Sequence, residues 1–84
     1  MPRYFFHAYD RIVAYDDEGI ELDDVALAVA VAHHAARDLA ADECRRGELD
    51  LNFRIDVTDE AGAIVASVTL ADAVQVIWPD QRAR

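Results

Sequence analysis

One cysteine in 84 residues rules out a disulfide framework, which needs an even set, and leaves Cys44 as a lone thiol suited to a reducing compartment. No stretch approaches the about 20 consecutive apolar residues of a membrane span, and no basic, apolar, small-residue leader opens the chain. The expectation is a cytoplasmic protein that engages no membrane. Basic residues are also scarce, eight against 17 acidic, for a net charge of −9 and a pI of about 4.4. A surface of that sign repels phosphate backbones, so nucleic acid is not expected as a direct ligand. Metal-ligand spacings are missing too. His33 and His34 are adjacent and project about 100° apart, so they cannot chelate one ion as an i, i+4 pair can. The acidic run over residues 16–24, crowded around Gly19, does not follow the alternating ligands of a calcium loop. No metal and no cofactor is expected.

What the chain does have is apolar content of 54%, above the usual ~45–50%, in a length that suits one domain burying about 60% of its unfolded surface. Residues 1–84 read as that single domain, with 79–84 a loosely held polar tail. The organising stretch is residues 23–46, an amphipathic helix. Asp23 or Asp24 can cap its first turn, and Gly47 can take the left-handed conformation that ends it. Arg45 and Arg46 suit the negative end of its dipole. Stepping 100° per residue gathers Val25, Ala28, Val29, Ala32, Ala35, Ala36 and Leu39 into one stripe. So many alanines make the stripe shallow, which lets the helix approach a sheet closely and leaves large strand side chains to fill the layer.

Residues 3–9, RYFFHAY, are strand formers that alternate Tyr4, Phe6 and Ala8 with Phe5, His7 and Tyr9. Both faces are apolar, as a central strand requires. A polar break at Asp10 and Arg11 turns the chain into a short strand over residues 12–15. Residues 51–58 carry the cleanest period of two, residues 63–70 return from the turn residues DEAG, and ADAVQVIW fits a short helical or irregular segment stopped by Pro79. The resulting fold is α+β, ββαββ: a four-stranded antiparallel sheet with one long helix on one face. A right-handed crossover gives the order 2-1-3-4, with the aromatic strand inside.

The opening MPRYFFHA, then DDEGIEL, RRGELDL, RIDVTDEAG and LADAV, together resemble an uncharacterised family of small bacterial proteins, a domain of unknown function. The likeness spans nearly the whole chain and implies no substrate, cofactor or catalytic residue. Leu27, Val29 and Val31 depart from that family's helix, which resembles an alternation of Ala with Glu and Arg.

Three functional readings follow, headed by a non-catalytic homo-oligomeric interaction module. One sheet face is left open by a single helix, and it must carry either Tyr4 and Phe6 or Phe5, His7 and Tyr9; Leu27, Val31 and His34 form a second patch away from the helix stripe. A two-fold dimer would bury either. A monomer whose AVQVIW segment covers the open face is the alternative arrangement. The second reading is an acidic, antitoxin-like domain that occludes a basic protein partner, docking it on Asp16, Asp17, Glu18, Glu21, Asp23 and Asp24. Its layout is loosely similar to the small antitoxin domains of the HicB type. The third is a small enzyme or ligand-binding protein using His7. Against catalysis stands the lack of a nucleophile elbow, a glycine-rich loop or a metal spacing.

Overall fold

The computed structural model describes residues 1–10 and 12–80. Arg11, in the expected turn, and residues 81–84 of the expected tail lie outside the described residues. In chain order the elements are β1 (Arg3–Tyr9), β2 (Val13–Ala14), β3 (Ile20–Glu21), α1 (Val25–Arg45), β4 (Arg54–Thr58), β5 (Ile64–Thr69) and α2 (Leu70–Ala73). The antiparallel sheet runs β2-β1-β4-β5, with β3 also pairing to β1. The expected order is therefore found, with one strand more than the four expected.

The ends of α1 show why the helix stops where it does. Asp24 is extended and its carboxylate accepts from the Leu27 N–H at 2.9 Å, satisfying one of the free amides of the first turn. At the other end Gly47 has φ +82°. The N–H of Glu48 reaches back to the Glu43 carbonyl and that of Gly47 to the Cys44 carbonyl, the paired bonds of a Schellman turn. Arg45 and Arg46 both reach Asp42.

Ala28, Ala32, Ala36 and Ala40 form the buried line of α1. Opposite them lie Tyr4, Phe53, Ile55, Val57, Val68 and Leu70, the large side chains that a shallow helix face calls for. Val25, expected in this stripe, is 40% exposed. It borders a groove of ≈ 390 Å³ with Pro2, Tyr4 and Val65, so the first turn overhangs the sheet instead of lying on it. The helix packs mainly against β4, β5 and α2.

Two strands are shorter than their apolar patterns. Residues 51–53 were expected to be extended, but Asp50 Oδ1 accepts from the Asn52 N–H and the Asp50 carbonyl from that of Phe53. This local turn competes successfully with the ladder. Residues 12–15 pair only at Val13 and Ala14. Ile20, expected to point into the core, sits on the outermost strand beyond the reach of the helix and is 45% exposed. After β5 the Leu70 N–H still donates to the Phe53 carbonyl at 2.8 Å. Thr69 and Asp72 then close a capping box around α2, and Arg37 Nε ties the Ala73 carbonyl to α1.

Because Ala32 is wholly buried, Ala32→Leu must push α1 off the sheet and is expected to cost about 1–3 kcal/mol. Ala30→Leu, on the exposed side of the same helix, should stay within about 0.5 kcal/mol. Urea unfolding of the two variants checks the difference.

Candidate functional site

The helix side of β1 takes Tyr4, Phe6 and Ala8, so the alternating set Phe5, His7 and Tyr9 lies on the open face. Tyr4 is 5% exposed. Tyr4 is thereby buried in its own copy's core and Phe6 half-buried against it, where they supply the aromatic volume beside the alanine stripe.

On the open face, register lines up His7 with Asp56 and Ser67, and Tyr9 with Arg54 and Thr69. Asp56, although on this face, is 5% exposed. Its Oδ1 accepts from Ser67 Oγ at 2.7 Å and from Arg54 Nε at 3.2 Å. The Arg54 guanidinium lies 4.5 Å from the centre of the Tyr9 ring, a cation–π contact. Tyr15 meets His7 and Tyr9 edge-on, with centroids 5.6 and 6.2 Å away.

Both nitrogens of His7 are engaged. The Asp16 backbone N–H points at Nδ1 at 3.1 Å and can only donate, so Nδ1 carries the lone pair. Nε2 of the neutral ring then holds the proton and donates to Thr58 Oγ1 at 3.1 Å. Ser67, Asp56 and His7 stand in a row, yet in the wrong sequence for nucleophilic catalysis. A triad places the imidazole between acid and hydroxyl, whereas here the carboxylate lies between the other two and the serine donates straight to it.

The acidic loop is less free than its composition suggests. Asp16 Oδ2 accepts from the Phe6 N–H, and its Oδ1 from the N–H groups of Glu18 and Gly19, all at 3.1 Å. It thus fills the middle of the β1 edge between the rungs made by β2 and β3. Gly19 has φ +68°, and a Cβ there would meet the Tyr4 carbonyl oxygen at 2.8 Å. Asp24 is the helix cap and Glu21 pairs with Arg3 at 2.7 Å. Of the six carboxylates expected to dock a partner, Asp16 and Asp24 are committed to backbone N–H groups and Glu21 to an ion pair. Asp17, Glu18 and Asp23 are left exposed around them. Of the second patch, Leu27 and His34 are exposed and Val31 is half-buried.

Two carboxylates that the sequence did not single out also have structural work. Glu43 is 4% exposed and accepts from the Asp50 N–H at 3.0 Å, while Asp56 anchors the open face. The only available signals were an acid at the helix's apolar sector and an acid inside an alternating strand, which resemble noise in both patterns. Among the described residues no three His, Cys, Asp or Glu side chains converge as a metal centre needs. No described helix is long and apolar enough to cross a membrane.

A family model described as Domain of unknown function (DUF6894) matches residues 3–71. No curated protein and no solved structure matches the chain.

Partial burial opposes charge on Asp16, but the N–H groups of Gly19, Phe6 and Glu18 outweigh it and hold the carboxyl below the usual carboxylate range. A lowered folded pKa stabilises the fold fully above the unfolded value of about 3.9. That contribution is lost as pH falls through the lower folded value. Asp16→Asn presents an amide to at least one of these N–H donors and is expected to cost about 1–3 kcal/mol at neutral pH. It should also flatten the loss of stability below about pH 4 relative to the parent. Thermal melts across an acid series check both effects.

Proposed function

We propose that this chain, which belongs to the DUF6894 family, works in the cytoplasm as a non-catalytic module that associates with copies of itself. The observation that carries this reading is the state of the segment after α2. Val76, Ile77 and Trp78 are consecutive and 40, 81 and 82% exposed, so this segment does not cover the open sheet face as the monomeric arrangement requires. Large apolar side chains scattered singly on a surface are ordinary, but adjacent ones capped by a tryptophan favour a protein contact. Several polar groups that an enzyme would need free are meanwhile engaged, His7 by Thr58 and the Asp16 N–H and Asp56 by Ser67. Light scattering after size exclusion, at tens of micromolar protein, should give a mass of about twice 9.4 kDa. A mass near one chain would remove the reading.

A basic partner surface is a second reading, favoured by the way Asp16 and Gly19 hold the loop while Asp17, Glu18 and Asp23 face outward. Single-sign charge of this kind steers association and is screened by salt. The triple variant Asp17→Asn, Glu18→Gln, Asp23→Asn is expected to lose a partner recovered at low salt while melting like the parent. Unchanged recovery would clear the loop of that role.

A further inference from the structure

The sheet has two edges, and they are treated differently. Outside β1 the edge is closed by β2, β3 and the Asp16 carboxylate. Outside β5 no described strand pairs. The Leu70 N–H points at the Phe53 carbonyl, and Val68 and Ala66 pair with Ile55 and Val57 in the same register. The alternation of an antiparallel ladder then turns the N–H and C=O of Ser67 away from the sheet. Natural edges are commonly blunted by lysine, proline, inward charge or a β-bulge. The stretch 61–71, AGAIVASVTLA, has none of the first three, and the chain contains no lysine at all; its one irregularity is the register shift that leaves Val65 unpaired, beyond which Ala66 to Thr69 keep a regular ladder.

The segment that follows has the properties of a missing strand. Val74 is extended, with φ −130° and ψ 145°. Val74, Val76 and Trp78 alternate with Gln75 and Ile77, and Pro79, which has no N–H, ends the run. Its five residues, 74–78, compare with the six of β5. Charge identifies the occupant. Two molecules of net charge −9 repel one another over most of their surfaces, yet between residues 61 and 79 the sole charged side chain is Asp72, and it is folded into the α2 cap. A neutral edge and a neutral strand give two copies one seam along which like charge does not oppose approach.

We propose that residues 74–78 of one copy add as a strand to the outer edge of β5 in a second copy, reciprocally, so that a two-fold exchange buries Ile64, Val76, Ile77 and Trp78 and closes both edges. This rests on the self-association reading and names the surface that performs it. It also draws the donated strand, unlike the receiving edge of β5, from outside residues 3–71, the span matched by the family model.

Trp78 is the chain's one tryptophan, and its fluorescence reports the seam directly. As protein concentration rises, emission is expected to shift to the blue in step with the mass measured by light scattering. Val76→Pro removes an N–H at an exposed position beyond Val74, the residue of this run that packs on its own core and bonds the Leu70 carbonyl. It should leave the melting profile of the isolated protein in place and weaken dimerisation roughly tenfold or more. Ile64→Lys, at an exposed site on the receiving edge, should weaken it likewise. A dimer that keeps its affinity in either variant, or that forms with no shift in Trp78 emission, overturns the strand exchange while leaving self-association standing. A blue-shifted tryptophan in a particle of one-chain mass overturns it too, because the segment then pairs with its own β5. A parent protein that remains monomeric and unshifted at every concentration removes both readings together.

Discussion

The β1 edge is finished by a side chain. Between the rungs of β2 and those of β3 the backbone leaves β1, and the Asp16 carboxylate takes the Phe6 N–H that a continuous strand would have taken. Its other oxygen gathers the N–H groups of Glu18 and Gly19, so one group both completes the sheet and shapes the loop that leaves it. The Asp16 main chain adds the bond that sets His7 in a single tautomer. Without this constraint β2 and β3, each two residues long, have too few rungs of their own to hold the edge.

Use of acids as backbone acceptors recurs through the molecule. Asp24 caps α1, Glu43 holds the Asp50 N–H, Asp50 that of Asn52, Asp59 those of Ala61 and Ala63, and Asp72 that of Thr69. Short elements leave many unpaired amides at their ends, and a carboxylate satisfies them more strongly than a neutral acceptor. Much of the acidity is therefore structural. Asp17, Glu18 and Asp23 are a better measure of the charge offered to a partner than the net value is.

Helix ends were legible because their signals are local, and strand order because a right-handed crossover admits few arrangements. Asp24 and Gly47 bracket the apolar stripe, and β4 alternates cleanly enough to set Ile55 and Val57 in the core, but the face expected to be wet is not, since Asp56 and Thr58 are buried as well. The inner face of β1 was not legible: with Tyr4, Phe6 and Ala8 set against Phe5, His7 and Tyr9, both phases are apolar and only the helix's placement distinguishes them. Asp16 was equally hidden. Its partner on β1 lies ten positions upstream, and in sequence it is one acid among six. The stripe prediction erred at Val25 for a geometric reason, since helical periodicity says which side a residue takes and not where the sheet beneath it ends.

The close approach of Gly19 to β1 bears on how far a related chain can drift. Gly47 and Gly62 also have positive φ but open space where a side chain would go, so asparagine, which tolerates that conformation, is a workable exchange at either. At position 19 the obstacle is the main-chain oxygen of Tyr4 itself, which no rotamer change can move aside. Divergence there would have to reroute the whole loop, making this glycine, with the Asp16 carboxylate that holds its N–H, a fixed point around which the exposed side chains of Asp17 and Glu18 are free to vary.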